Sequence, residues 1–199
     1  MTTIKRLCLM VSLVLTTLPA AALTLSQEQV PEAKRSSLQQ YLSPREAFDW
    51  KTKPSEPTFL IDVRTPPELH FVGFAPIMDV NIPYITYDYG EWDVKVSDYK
   101  RVPNSAFAQK IDAFLASQGQ AGNKKVRLIF LCRSGDRSAR AATLLAQAGY
   151  TNIWSILDGF EGDKAKEGDA KGKRVVNGWK NDGLPWSYDL TQEKAALLD

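Results

Sequence analysis

A chain of 199 residues is long enough for one ordinary domain whose core needs no metal or disulfide staple. Hydrophobic residues at 44% beside charged residues at 24% exclude a disordered chain and a many-span membrane protein. Lys and Arg number 25 against 23 Asp and Glu, and without Lys5 and Arg6 the signs balance, which gives no reason to expect nucleic acid or an anionic membrane surface as partner.

Lys5 and Arg6, the apolar run from Leu7 to Leu18 and the small residues Ala20-Ala21-Ala22 read as a signal peptide over residues 1–22, cleaved after Ala22. This predicts an exported, periplasmic protein with no stable membrane association. An uncleaved membrane anchor is the alternative, because no charge lies between Arg6 and Glu28. Pro19, Thr16 and Thr17 weigh against a spanning helix, which needs roughly 20 apolar residues. Residues 23–40 then form a polar lead-in, 41–190 the domain and 191–199 a tail.

Ser43-Pro44-Arg45-Glu46 predicts a short helix start, with Ser as N-cap, Pro at the first helical position and Glu closing a capping box. Thr58 to Val63 reads as a buried strand and Asp79 to Pro83 as a second, shorter one. From Tyr84 to Pro103 the periodicity breaks into an aromatic stretch with Tyr87, Tyr89, Trp92 and Tyr99. Its aromatics fit a lid over the core, a wall of the active site or a docking patch. Asn104 or Ser105 caps a helix whose Phe107, Ile111, Phe114 and Leu115 share one face. Val126 to Leu131 is an apolar strand, Ser138 to Ala148 a helix stopped by Gly149, and Asn152 to Ile156 a last strand. Strands alternating with helices predict an α/β fold with a mostly parallel sheet. Glu161 to Gly178 reads as a solvated, glycine-rich loop before the closing segment Trp179 to Trp186.

The chemistry concentrates in Leu128-Ile129-Phe130-Leu131-Cys132-Arg133-Ser134-Gly135-Asp136-Arg137-Ser138. A buried strand delivers Cys132 to the carboxyl edge of the sheet, where ligand sites of open α/β sheets lie. Loop amides and a helix N-terminus can then converge on the sulfur, and Gly135 permits the tight backbone of such a cradle. Arg133 and Arg137 add positive charge, and each of these effects stabilises an anionic sulfur. Asp136 opposes that stabilisation unless it points to solvent or pairs with an arginine. With the leader removed, Cys132 is the sole cysteine, so a reactive thiol, an intermolecular link and an inert buried cysteine are the available readings. His70, the only histidine, has no spacing that joins it to Cys132 and no companions for a metal site. Asp62, at the end of a buried strand, is expected to hydrogen-bond structurally, and Arg64 and Glu68 to pair with neighbours.

Cys132 to Ser138 resembles the active-site loop of the rhodanese family of sulfurtransferases. Asp62-Val63-Arg64 with Glu68, Asn81-Ile82-Pro83, Asp158-Gly159-Phe160 and Gly183-Leu184-Pro185-Trp186 resemble its other landmarks. The resemblance implies three layers around a central five-stranded sheet, Cys132 as nucleophile, and the amides from Arg133 through Ser134, Gly135, Asp136 and Arg137 to Ser138 as the anion cradle. It departs from many members at Gly73-Phe74-Ala75, where they carry Gly-His-Ile. The implied reaction takes sulfane sulfur from a small anionic donor such as thiosulfate onto Cys132 as a persulfide, with no cofactor and no metal. The acceptor is then external: cyanide, a small thiol or a partner protein.

Three other readings compete. One is a non-catalytic binding or sulfur-carrier module, and another a redox protein dimerising through Cys132. The third is a phosphatase on the same sheet. Related phosphatases use a C-x5-R loop with a histidine before the cysteine, whereas four residues separate Cys132 from Arg137 here and Leu131 holds the histidine's place. A shorter ring closes on one sulfur atom better than on a phosphoryl group, and Asp136 would repel a phosphate dianion.

Overall fold

The computed structural model describes residues 27–195, so the leader through Ala22 and its cleavage site lie outside the described residues. The lead-in forms two single-turn helices, Gln27–Gln29 and Glu32–Lys34, before strand β1 at Tyr41–Leu42. Helix α1, Pro44–Thr52, starts at Ser43, whose side chain accepts the Glu46 N–H while Glu46 returns to the Ser43 backbone. That reciprocal pair satisfies two amide donors the first helical turn would leave open.

Strand β2, Thr58–Asp62, leads to helix α2, Pro66–Val72, which sequence reading passed over. Strand β3 is Val80–Asn81, and β4, Ile85–Asp93, with β5, Asp98–Pro103, forms an antiparallel hairpin. Helix α3 spans Phe107–Ser117, strand β6 Arg127–Leu131, helix α4 Asp136–Gln147 and strand β7 Ile153–Ile156. Helix α4 begins two residues earlier than its apolar pattern indicates, because Asp136 and Arg137 are already helical.

Strands β1, β7, β6, β2 and β3 lie side by side in that order, every pairing parallel. The fold is α/β with a five-stranded central sheet, as expected. Strand alternation divides the apolar side chains between two faces. Leu128, Phe130 and Cys132 join Phe107, Ile111, Leu115 and Leu145 on the face covered by α3 and α4. Ile129 and Leu131 join Ala47, Leu69, Phe160 and Trp179 on the other, under α1, α2 and the closing segment. With both faces covered, β6 is the middle of three layers, and its far end delivers Cys132 to the loop that opens α4.

The segment Glu161 to Gly178 is only half the solvated loop its composition suggests. Its ends are built in: Asp163 binds Lys34 at 2.8 and 2.9 Å, and Asn177 hydrogen-bonds Asp158 and the Asp163 amide. The stretch from Lys166 to Lys173 is exposed but for Ala170.

Candidate active site

Strand β6 ends at Leu131, and Leu131 still accepts the N–H of Val63, the residue after the neighbouring strand β2, at 2.8 Å. Cys132 is therefore the first residue beyond a strand held on both sides. Its thiol is 1% exposed, and the Gly135 N–H donates to Sγ at 3.1 Å. Gly135 makes this turn with φ +95°, a left-handed conformation that a side chain would strain.

The loop is held from behind through its carbonyls. Phe160 N–H donates to the Cys132 carbonyl at 2.7 Å, and the Glu161 and Gly162 amides donate to that of Arg133 at 2.9 and 3.2 Å. Gly159 lies so close that a Cβ there would meet Ser134 N at 2.5 Å and the Cys132 carbonyl oxygen at 2.6 Å. With these carbonyls engaged at the back, the loop amides are left to the sulfur side and the N-terminus of α4 adds its partial positive charge.

Each predicted site residue falls in this loop, in differing roles. Cys132, Arg133, Ser134, Asp136 and Arg137 border a pocket of about 40 Å³. Gly135 makes the turn, and Ser138 is fully buried with its hydroxyl unpartnered among the described residues. The Asp136 carboxylate accepts from Arg140 at 2.7 Å, so its charge is drawn along α4 rather than at the sulfur. Arg133 is half-buried and enters no ion pair among the described residues, which leaves its guanidinium available to an anion.

Arg137, expected as an anion contact, is also engaged by a carboxylate. Both its terminal nitrogens donate to Glu68, at 2.7 and 2.5 Å, from 69 residues away. Burial opposes the Glu68 charge, but the hydrogen bonds and charge of Arg137, with the Thr65 amide and Arg64, bring its pKa down to about 2. Burial likewise opposes the Arg137 charge, and Glu68 more than offsets it, with Cys132 and Tyr87 adding to the upward shift. Arg137 thus faces the sulfur as a fixed charge rather than a mobile hand. Asp62 and Arg64 form a buried pair, Arg64 also reaching the Gly73 carbonyl at 3.0 Å and stacking on Phe160. They buttress the strand ends, as expected of Asp62. His70 is exposed and packs on Phe71, apart from Cys132.

Sequence reasoning missed Arg101 and Arg174, and named Tyr87 only within the aromatic stretch that one reading made a wall of the site. Tyr87 and Arg101 also border the Cys132 pocket, delivered by β4 and β5. The hairpin is a wall of the site, and Tyr87, Tyr89, Tyr99 and Arg133 border an adjoining trough of about 290 Å³. The signal was the period of two in Tyr87-x-Tyr89 and Tyr99-x-Arg101. Burial and the nearby Arg133 charge push the Arg174 guanidinium down, and the Cys132 sulfur lies within its electrostatic reach.

Comparison with known proteins is consistent with this geometry. The family model for the Rhodanese-like domain matches residues 43–166. An uncharacterized protein of Rickettsia prowazekii (strain Madrid E) is 34% identical over 132 residues, 65% of this chain and 83% of that one. A rhodanese domain-containing protein of Drosophila melanogaster is 32% identical over 104 residues, 52% of this chain and 79% of that one. The crystal structure of Rv0390 from M. tuberculosis superimposes with a TM-score of 0.50 at 31% identity, covering 73% of this chain and 95% of that one.

Proposed function

The chain belongs to the rhodanese-like domain family, and from that premise we propose that it is a sulfurtransferase carrying sulfane sulfur as a persulfide on Cys132. One observation carries the reading. Cys132 Sγ sits at the floor of a pocket on the scale of one or two waters, hydrogen-bonded by the Gly135 amide and ringed by arginines.

The thiolate of Cys132 attacks the outer sulfur of thiosulfate or a like donor. The donor's S–S bond breaks, its electron pair leaves with sulfite, and Cys132–S–S⁻ remains. Charge is conserved, so no oxidant or reductant enters. Loop amides, Arg133 and the fixed charge of Arg137 stabilise the anion that accumulates on sulfur. An acceptor such as cyanide or a small thiol then takes the outer sulfur and returns the thiolate. The four residues between Cys132 and Arg137, and Leu131 before the cysteine, support sulfur over phosphate.

The test is intact mass after exposure to thiosulfate, followed by thiocyanate formation on adding cyanide. Wild type gains one sulfur atom and returns it. Cys132→Ser gains none and forms no thiocyanate. Equal turnover by that variant would sink the mechanism.

A further inference from the structure

We infer that Arg101, carried by the hairpin, is a donor-binding residue that selects sulfane donors bearing an oxyanion head. The inference rests on the sulfurtransferase reading and adds to it a specificity determinant outside the catalytic loop.

Tyr87 and Arg101 are directly opposed across the β4–β5 ladder, so their side chains leave the ribbon on the same face. That face is turned to the catalytic loop, and both residues border the pocket together with Cys132, Arg133 and Arg137. Three guanidinium groups thereby surround a space with room for a few atoms.

Their commitments differ. Arg137 is locked to Glu68 by two buried hydrogen bonds. Among the described residues Arg101 is tied only to Asp98, through one bond of 3.1 Å, with the two side chains 44% and 34% exposed. An ion pair so open to water is weak and exchangeable. A ligand anion at the pocket mouth can take Arg101 from Asp98 without leaving a buried charge behind. Arg137 already repels Arg101 across the pocket, a repulsion that an anion between them removes.

Geometry then divides the donor into two parts. The terminal sulfur enters the pocket of about 40 Å³ above Sγ. The head group stays at the junction with the trough, where Arg133 borders both spaces and Arg101 faces it. A dianionic head, as in S–SO3²⁻, engages both arginines. A monoanionic donor of the same reactivity gains less, and a neutral one least.

The experiment follows sulfur loading of Cys132 by quenched intact mass against donor concentration, with thiosulfate and with methanethiosulfonate as a monoanionic donor. For Arg101→Ala the expected result is a thiosulfate half-saturation concentration at least tenfold higher, with the final extent of loading kept. The methanethiosulfonate curve moves less, and Arg101→Lys restores most of the thiosulfate response. Wild type and Arg101→Ala are expected to melt at the same temperature, a readout that a disturbed fold would move. Coincident thiosulfate curves for wild type and Arg101→Ala overturn the assignment, as does an equal loss with both donors. Failure of the wild type to load from either donor overturns the underlying activity, which is a separate outcome.

Discussion

Glu68 and Arg137 meet across 69 residues of sequence, and their pairing fixes how the site responds to acid. The carboxyl pKa falls from 4.5 to about 2 in the folded chain, the net result of burial raising it and Arg137 lowering it further. A folded-state pKa below the unfolded one means stabilisation that is complete above pH 4.5 and lost as pH falls towards 2. Its size is on the order of 3 kcal/mol. Urea unfolding at pH 5 and at pH 2.5 is expected to show wild type losing more stability than Glu68→Gln, by most of that amount. Equal losses would show that the pair does not set the acid limb. Arg137→Ala is a harsher change, since it strands a buried carboxylate and costs about 3–5 kcal/mol. Loss of activity in that variant is therefore partly loss of fold, and Arg133→Ala is the cleaner probe of anion contact.

The loop between β6 and α4 owes its shape to an element that follows it in the chain. Gly159 has φ +65°, and a Cβ there would press on Ser134 N and the Cys132 carbonyl, both backbone. Gly159→Ala is expected to cost about 2–4 kcal/mol, the left-handed strain of about 1–2 kcal/mol plus displacement of the loop, and to abolish persulfide loading. Gly172→Ala is the control: its φ of +84° carries the same kind of strain, but nothing lies within 4 Å of a Cβ there. It should lose about 1 kcal/mol and load normally. Thermal melts and intact mass read both effects. The same elements show what sequence makes legible. Strands β2 and β6 are short apolar runs buried on both faces, and α1 carries its own capping box, so local chemistry dictates each of them. Helix α2 also opens with a capping box, Thr65 to Glu68, but Pro66-Pro67 masks it by looking like a break. The hairpin was only faintly legible, for another reason. A register shift between Asp88 and Trp92 interrupts its alternation, and its outer face is exposed, so no apolar stripe marks it as strand. Glu68 meeting Arg137 is a tertiary fact that spacing along the chain does not encode.

Across the whole molecule, the lead-in and the closing segments are tied together by Lys34. Its ammonium, nearly buried, binds Asp163 and lies 4.0 Å from Asp158, while Asn177 bridges the two carboxylates. Lys34→Met leaves two acids around one amide and is expected to lower stability by about 1–2 kcal/mol, with the first protease cleavages moving to the lead-in and to the segment after Glu161. Unchanged stability and cleavage sites would show that the contact is incidental. The pinning of the Cys132 loop by Phe160, Glu161 and Gly162 also sets an order of events during synthesis. Residues leave the ribosome at about 5–20 per second, so roughly 30 residues after Cys132 represent a few seconds in which the cysteine has emerged and its cradle has not. Strand β7, which flanks β6, and the Trp179 amide, which holds Gly159 in turn, come later than Cys132 as well. During that interval the nascent thiol lacks the amides and buried charges that later surround it. The surroundings of that sulfur are completed with the last third of the domain.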